Sequence, residues 1–405
     1  MNMINKTNKS LVAMMLLFLM VIVAPTFTAC DDDDDEGGTP SIRYFRIPDA
    51  SKADSMIVGA PWGTVVAIIG ENLNSVKTIK FNDIEASLNS CYVTDNAILV
   101  SVPNGFPTVE TNKVYLYPKN GGDSIVADFV SMVPAPAISN ISSLVLSEGM
   151  TLTLTGNYMT SDLKISLSGT IVEATEVAKD FTTAKFILPS GVETAETLIA
   201  ITKYGNTTYS QKLNDIHGNN IFIDFDNLPY QSWMGDAVVT NENKPLSGNY
   251  LHINIPGWSQ WGWANPFASD LTAPIEWNGD VSKSALAFEI RTNKPWSTSG
   301  QLSYEFVDNI GSTHWEGDFS YWYPWEKATF DTQGEWQTVI LPLTNPIGSK
   351  SQSQVTPTFN KWTDADVNKN IAFMLWGDYL ELNGTGATSD IDIDIDNVRI
   401  ISLSE

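Results

Sequence analysis

Two stretches of this sequence repeat each other at a constant offset of 86 residues. Gly63 and Gly70 correspond to Gly149 and Gly156, and an apolar segment that ends in proline follows each pair at the same distance. Between the second pair of glycines, residues 150–155 alternate apolar and polar side chains, which is the period of a half-buried β-strand. The repeat therefore predicts two successive β-modules of similar size.

The composition of the whole chain favours an all-β fold. Of its 405 residues, 43% are hydrophobic and only 17% are charged, and 27 Gly with 20 Pro suit short strands and turns better than charged amphipathic helices. The net charge is −24 without clustered cations, so nucleic acid is not expected as a partner. The same charge disfavours polyanionic sugars, and we expect any bound polymer to be neutral.

The N-terminus has the pattern of an export signal. Lys6 and Lys9 precede an apolar stretch over residues 11–24, whose 14 residues fall short of the ~20 that a membrane-spanning helix needs. We predict a signal peptide over residues 1–29. It ends in Phe-Thr-Ala before Cys30, which resembles a bacterial lipobox, in which the cysteine is lipidated and becomes N-terminal after cleavage.

An acidic tether follows the cysteine over residues 30–39, with five aspartates and Glu36 before two glycines. Such a run is typical of a solvated, disordered segment. Beside a lipid-bearing cysteine it also resembles the acidic export tag of Bacteroidetes lipoproteins, and the two interpretations are compatible. The resemblance implies a lipid-anchored protein of the cell outer membrane that faces the extracellular medium.

The two repeated modules resemble IPT/TIG domains, a branch of the immunoglobulin-like sandwiches. Pro40 and Pro136 each precede an isoleucine by two residues, and each module carries the glycine pair described above. The resemblance implies one Ig-like domain over residues 40–134 and another over residues 135–217. Neither module contains clustered aromatic residues or a catalytic constellation, so we expect both to act as spacers.

The last segment, residues 218–405, differs from the modules in its aromatic content. Residues 221–405 contain twelve of the 13 tryptophans of the chain. At least seven short strand candidates separated by Gly, Pro and Asn turns predict a jelly-roll sandwich. The predicted fold class is thus all-β, with two Ig-like (IPT/TIG) β-sandwiches followed by a β-sandwich like a carbohydrate-binding module.

An exposed indole can bind the axial C–H face of a pyranose ring, because it excludes water there while the sugar hydroxyls stay hydrogen-bonded around the rim. Two dense aromatic clusters, at residues 258–263 and 321–325, cannot point to one side of a strand, since consecutive strand residues face opposite ways. Trp336 is predicted to be structural. The predicted glycan-binding residues are Trp258, Trp261, Trp263, Trp296, Tyr321, Trp322, Tyr323, Trp325 and Trp376, with Gln260, Asn265, Glu316 and Asp318 as polar partners.

The combination of lipobox, acidic tether, tandem Ig-like modules and tryptophan-rich sandwich resembles the surface glycan-binding proteins of Bacteroidetes polysaccharide-utilisation systems. The resemblance implies non-catalytic capture of a neutral polysaccharide by the C-terminal domain. It also implies delivery to a companion importer alongside other glycan-binding lipoproteins. A β-glucan such as mixed-linkage glucan, or xyloglucan, is the ligand that it favours.

Two other functions compete with glycan capture. A jelly-roll endo-glucanase would need carboxylates on one strand in the pattern Glu-x-Asp-x-x-Glu. Glu316 and Asp318 match the first two positions, but Tyr321 occupies the third, so we expect no catalysis. A surface adhesin for host or matrix protein would share the anchor and the modules, but it would not explain why the tryptophans concentrate in one domain.

A row of alternating aspartates near the C-terminus, from Asp390 to Asp396, would share one face of a regular strand. Such a row repels itself unless it is solvated or bridged by a cation, and carboxylate oxygens are the ligands that calcium prefers. The sequence favours a solvated strand edge that resists pairing, and a structural Ca2+ is the alternative. The predicted ligands are Asp224, Asp226, Asp394 and Asp396. No cofactor is otherwise required.

Overall fold

The first compact unit of the protein ends at Met132 and the second begins at Val133. The computed structural model describes residues 38–49, 55–88, 92–233, 237–258, 262–272, 275–297, 300–308, 318–325, 328–344, 347–351, 354–358, 362–376 and 389–403. Cys30, with the predicted signal peptide and most of the acidic tether, lies outside these residues.

Two sheets enclose one hydrophobic core in the first unit. The strands are β1 (Ser41–Arg46), β2 (Met56–Ile57), β3 (Gly59–Pro61), β4 (Val65–Glu71), β5 (Val76–Phe81), β6 (Ile84–Ala86), β7 (Tyr92–Val93), β8 (Ala97–Ser101), β9 (Lys113–Pro118), β10 (Ile125–Asp128) and β11 (Val130–Met132), with a 3-10 helix at Leu73–Ser75. One sheet has the order β2–β1–β4–β8–β7 and the other β10–β9–β5–β6, while β11 pairs with β3. Phe45, Ile68, Phe81 and Phe129 are buried between them.

The N-terminal part of the second unit repeats this arrangement. Its strands are β12 (Ala137–Ile141), β13 (Thr151–Asn157), β14 (Lys164–Leu167), β15 (Thr170–Glu173), β16 (Glu176–Val177), β17 (Thr183–Ile187), β18 (Leu198–Thr202) and β19 (Gly205–Thr208). They form two four-stranded sheets, β12–β13–β17–β16 and β15–β14–β18–β19. The alternating segment identified in the sequence is β13, with Leu152 and Leu154 fully buried.

The repeated glycines mark the same backbone feature in both modules. A Cβ atom on Gly70 would lie 1.8 Å from the carbonyl oxygen of Ser41, and one on Gly156 would lie 1.8 Å from that of Ala137. The opening strand carries a β-bulge at this point in each module. The first glycine of each pair has a positive φ, +75° and +78°, which disfavours other residues. The repeat is therefore imposed by backbone contacts and turns.

The C-terminal part of the second unit is a larger sandwich of two sheets. Its strands are β20 (Ile221–Ile223), β21 (Tyr230–Gln231), β22 (Ala237–Thr240), β23 (Tyr250–Trp258), β24 (Trp263–Ser269), β25 (Ser284–Thr292), β26 (Gln301–Val307), β27 (Asp318–Trp322), β28 (Gln337–Pro342), β29 (Ile347–Ser351), β30 (Gln354–Thr358), β31 (Asn370–Trp376) and β32 (Ser389–Ser402), with a 3-10 helix at Val281–Lys283 and a short helix α1 at Asp364–Val367. The six-stranded sheet has the order β22–β23–β32–β25–β28, with β20 also paired to β32, and the seven-stranded sheet has the order β21–β24–β31–β26–β27–β29–β30.

The predicted all-β fold class is confirmed by these sheets. The core of the C-terminal sandwich contains apolar side chains of both sheets, for example Phe288 and Ile393 from one and Phe267 and Phe373 from the other. Among the residues that the structure describes, no helix has the length and apolar character to cross a membrane.

The second module and the six-stranded sheet share a continuous hydrophobic core. Leu144 and Leu146 of the module are buried in one cluster with Tyr250, Trp336 and Ile401 of the sheet. The backbone continues the contact, because the N–H of Thr338 donates to the carbonyl of Ser142 at 2.9 Å. The module therefore stabilises one sheet of the sandwich, which goes beyond the expected role of a spacer. Trp336 is structural, as predicted.

A buried ion pair lies on the same side of this sheet. Nη1 and Nη2 of Arg399 donate to the Glu289 carboxylate, at 2.7 and 2.9 Å, and neither side chain is more than 1% exposed. Glu289 also accepts a hydrogen bond from the Thr338 hydroxyl at 2.9 Å. A two-fold hydrogen-bonded pair of this kind fixes the geometry of both strands.

We predict that Trp336→Ala lowers the free energy of unfolding of the second unit by about 3–5 kcal/mol, because it leaves a cavity in the shared core. The indole N–H, which donates to the Lys244 carbonyl at 3.0 Å, is lost as well. Trp233→Ala is the matched control because this indole is 48% exposed. The free energy of unfolding of this variant should differ little from that of the wild type. Equal denaturation midpoints for the two variants would contradict the shared core.

Candidate functional site

The seven-stranded sheet has one face in the core of the sandwich and one face outside it. On β26 the side chains of Leu302, Tyr304 and Phe306 belong to the core. Because strand residues alternate, Gln301, Ser303 and Glu305 lie on the opposite side of the sheet. We call this side the non-core face. In the described parts of β24, β26, β27 and β31 it carries Ala268, Gln301, Ser303, Glu305, Val307, Phe319, Tyr321, Ala372 and Met374, together with the positions of Trp263 and Trp376.

The strand register brings predicted residues together on this face. Trp263 on β24 lies directly opposite Trp376 on β31, and Trp376 lies opposite Gln301 on β26. One step further along, Ser303 lies opposite Met374 on one side and opposite Tyr321 on the other. Residues that lie opposite each other share a face. Four adjacent strands thus place two tryptophans and a tyrosine at neighbouring positions.

Apolar contacts between the strands continue across the non-core face. Met374 packs against Phe319, and Tyr321 lies against both. The ring centroids of Phe319 and Tyr321 are 6.5 Å apart. Nearer the other end of the strands, Ala268, Val307 and Ala372 form a second small apolar cluster. The margins of the non-core face are therefore largely apolar.

A polar row crosses the middle of this face. Gln301, Ser303 and Glu305 are only 1%, 0% and 4% exposed, although all three lie outside the core. Within the described part of the chain, Oε1 of Gln301 and Oγ of Ser303 have no hydrogen-bond partner. A buried polar atom without a partner is unfavourable, and most such atoms are satisfied by a neighbour, water or ligand. Oε1 of Gln301 and Oγ of Ser303 are therefore buried acceptors that lack a partner among the described residues.

Three predicted platforms are instead part of the core, so the predictions for Trp258, Trp296 and Trp325 are wrong. Their side chains are 7%, 0% and 6% exposed. The indole N–H of Trp325 donates to the carbonyl of Gly300 at 2.6 Å, and a Cβ on Gly300 would lie 3.3 Å from the Trp258 ring. Trp296 forms a β-bridge with Phe330. These indoles fill one end of the sandwich, which leaves them no open ring face.

The 321–325 cluster divides between the two faces. Trp322 lies opposite Leu302, on the core side, and packs edge-on to Phe330 with ring centroids 5.3 Å apart. Tyr323 is half-buried between Tyr321, at 5.2 Å, and Trp325, at 5.9 Å. Only Tyr321 lies on the non-core face. Consecutive residues of this cluster therefore face opposite sides of the strand, as expected from the sequence. More of its aromatic side chains contact the core than lie on the non-core face.

The other predicted positions are placed only in part. Trp261 lies outside the described residues, as do Gln260 and Glu316. For Trp263 and Trp376 the structure describes the strand register given above. Asn265 and Asp318 are likewise placed on β24 and β27 by their backbones.

One of the four aspartates that were predicted to hold calcium is already paired with other side chains. Asp394 accepts hydrogen bonds from Arg291 and His252, so its charge is already neutralised. Burial raises the pKa of Asp224, but N–H groups of the turn from Asp226 to Leu228 outweigh this effect and lower the pKa overall. Among the described residues, no group of three or more His, Cys, Asp or Glu is arranged to hold a metal ion.

Asp396 is the one member of the row with a strongly raised pKa. The carboxyl is buried, and both burial and the nearby Glu289 carboxylate raise its pKa well above the usual value. It accepts hydrogen bonds from the Asn397 N–H at 2.8 Å and the Ser247 hydroxyl at 3.1 Å. The folded protein therefore binds a proton at Asp396 more tightly than the unfolded chain does.

The polar row is the feature that the sequence analysis missed. Gln301, Ser303 and Glu305 alternate with Leu302, Tyr304 and Phe306, which is the period of a half-buried strand. The available signal was this alternation itself, because polar residues that alternate on a central strand define the face that does not enter the core. The prediction followed aromatic density and did not consider which face each strand presents.

A β-sandwich whose core-free sheet face carries aromatic positions beside buried polar groups has the architecture of a carbohydrate-binding domain. Comparison with known proteins agrees. Residues 216–402 match the family model described as the surface glycan-binding protein B xyloglucan binding domain. The C-terminal sandwich is therefore similar to this domain family, and the predicted resemblance of the chain to surface glycan-binding proteins is confirmed.

A solved structure with a TM-score above 0.5 shares the fold of the chain. The crystal structure of the surface glycan-binding protein PbSGBP-B from Prevotella bryantii has a TM-score of 0.66 and 23% identity, and the match covers 90% of this chain and 99% of that one. SGBP-B from a complex xyloglucan utilization locus in Bacteroides uniformis has a TM-score of 0.49 and 17% identity, covering 90% of this chain and all of the other.

A curated relative supports the assignment of the Ig-like modules. An IPT/TIG domain-containing protein of Bacteroides ovatus is 32% identical over 109 residues, which are 26% of this chain and 22% of the relative. The match thus spans about a fifth of the length of that protein, and it bears on the domain type alone.

We predict that Asp396→Asn removes a pH dependence of stability. Because the folded pKa is raised, stability of the wild-type protein falls as pH rises from the unfolded pKa, near 4, through the folded pKa. The melting temperature of the variant relative to wild type should therefore increase by about 2–4 °C between pH 4.5 and pH 7.5. The exposed Asp364→Asn serves as control and should show no such trend. If the difference in melting temperature between Asp396→Asn and wild type stays constant across this pH range, the raised pKa of Asp396 is contradicted.

Proposed function

We propose that the C-terminal sandwich binds a neutral β-glucan, with xyloglucan or mixed-linkage glucan as the preferred ligand. The observation that carries the proposal is the register of β24, β31 and β26, which aligns Trp263, Trp376 and Gln301 across one face. The family description names xyloglucan as the ligand of this domain type. A glucan chain running across the strands would meet both tryptophan positions in succession.

The chemistry of the non-core face fits a neutral sugar. A pyranose ring needs an apolar surface for its C–H face and acceptors for its hydroxyls, and the polar row of Gln301, Ser303 and Glu305 lies beside the aromatic positions. At ~25 cal/mol per Å2, an indole that buries about 50–80 Å2 contributes roughly 1–2 kcal/mol. Two or three such contacts, after the entropy of association, give dissociation constants of about μM to mM.

Capture without catalysis is the activity we propose. The pattern that retaining jelly-roll glucanases would need is interrupted, because Tyr321 stands where the third carboxylate is required. Tyr321 lies on the non-core face, where it suits ring contact.

We also propose that Cys30 is lipidated and anchors the protein to the outer membrane. The 14-residue apolar stretch before it and the acidic run after it support an exported lipoprotein. Many anchored copies on one membrane would hold a long polymer by avidity although each site is weak. Bound polymer would then pass to a companion importer in the same membrane.

The proposal is tested by affinity gel electrophoresis of the full mature chain in xyloglucan, mixed-linkage glucan and mannan. We expect retardation by the glucans and a loss of about 5–30-fold in affinity for Trp263→Ala or Trp376→Ala, which corresponds to one lost platform of 1–2 kcal/mol. Tyr92→Ala, with a ring that is 62% exposed in the first unit, is the matched control and should bind as wild type does.

Three outcomes would contradict the proposed binding of a glucan by the non-core face. Unchanged affinity of both variants at unchanged melting temperature would remove the non-core face as the site. Absence of retardation by any polysaccharide, with binding to mucin or matrix protein, would favour an adhesin. Release of reducing ends from either glucan above background would show that the protein is an enzyme.

A further inference from the structure

A cavity of about 500 Å3 lies on the outer side of the six-stranded sheet, on the opposite sheet from the non-core face. We call it the back cavity. This volume is within the range of small-molecule sites. It is lined by β22, β23, β25 and β32 and by the loop that joins β22 to β23. The lining side chains that matter here are Thr240, Glu242, His252, Arg291, Asp392 and Asp394.

The floor of the back cavity is held by a hydrogen-bonded network around Asp394. Arg291 donates to its carboxylate from Nε at 2.8 Å and from Nη2 at 2.7 Å. His252 Nδ1 lies 2.7 Å from the other oxygen, and the Asn293 amide donates at 3.1 Å. Asp394 and Arg291 are 1% and 4% exposed. Asp394 is therefore saturated, and the charge of Arg291 is neutralised.

The same arginine fixes the wall of the cavity. Its Nη1 donates to the carbonyls of Asn243 at 2.6 Å and Lys244 at 3.0 Å, in the loop that carries Glu242. The guanidinium also lies over the rings of Tyr250 and Trp336, 5.2 and 4.7 Å from their centroids. The cavity is thus built from an ordered network before any ligand arrives.

What remains available in the back cavity is a set of acceptors. Asp392 is 8% exposed, and its Oδ1 has no hydrogen-bond partner within the described residues. Nδ1 of His252 lies against the Asp394 carboxylate, so this ring nitrogen carries a proton and is not an acceptor for a ligand. The nearby Lys294 is already paired with Asp390 at 2.9 Å. With Arg291 balanced by Asp394, the carboxylates of Asp392 and Glu242 leave an excess of negative charge.

We infer that the back cavity binds a ligand that carries a primary ammonium group. An ammonium offers three donors and a positive charge, which together satisfy a buried carboxylate better than a neutral hydroxyl does. A metal ion is the other cation to consider, but no group of three ligating side chains in the described residues has the arrangement for one. The shared chemistry could come from an amino sugar or from a lysine side chain.

The test is a titration of the full mature chain, by ligand-observed NMR, with D-glucosamine and with Nα-acetyl-lysine amide. D-Glucose and Nα-acetyl-norleucine amide are the matched probes of similar shape without the charge. We expect at least one charged probe to bind ten-fold or more tightly than its neutral counterpart. Glucosamine alone would identify an amino sugar as the source, the lysine amide alone a lysine side chain, and both a general ammonium site.

Two variants assign the binding to this cavity. Asp392→Asn should weaken the charged probe ten-fold or more, whereas Asp364→Asn, an exposed carboxylate that does not line the cavity, should change it less than two-fold. If Asp392→Asn fails to fold, Glu242→Gln in the exposed loop replaces it, with the same direction of effect. Binding of no charged probe, or equal binding of charged and neutral probes, overturns the inference. Glucan retardation, measured on the same samples, reports the non-core face separately.

Discussion

The alternation of side chains along a β-strand is the constraint on which the architecture of the C-terminal sandwich depends. Each sheet gives one face to the common core, and its other face is left for a second task. The six-stranded sheet uses that face to pack against the second Ig-like module around Trp336. The seven-stranded sheet uses it to align aromatic and polar positions, among them Gln301 and Ser303. The packing against the second Ig-like module and the proposed ligand contact therefore lie on opposite sides of one domain.

The repeated modules were predictable because their sequence signals are local. The glycines at positions 70 and 156 repeat since the opening strand bulges against them in both modules, and no side chain fits between the two backbones. The alternating residues of β13 predicted a half-buried strand, which the structure contains. Trp336 was also recognised as structural. Each of these features depends on contacts within a strand or between neighbouring strands.

The functional positions were predicted only in part, because aromatic density does not reveal which face a residue occupies. Trp258 and Trp325 are close in sequence to Trp263 and Tyr321, but together with Trp296 they fill one end of the core. Trp263 and Trp376 are far apart in sequence and meet only through the pairing of β24 with β31. The network of Arg291 and Asp394 likewise depends on the long-range pairing of β25 with β32, so the aspartate row alone did not reveal it.

The central claim is that a glucan binds across β24, β31 and β26, on the side of the seven-stranded sheet away from the core. The most direct measurement is a crystal structure of the second unit with a xyloglucan oligosaccharide, prepared from Val133 onward because the module and the sandwich share a core. The account predicts sugar rings against Trp263 and Trp376, with hydroxyls near Gln301 and Ser303. An oligosaccharide bound elsewhere, with this face unoccupied, would contradict it.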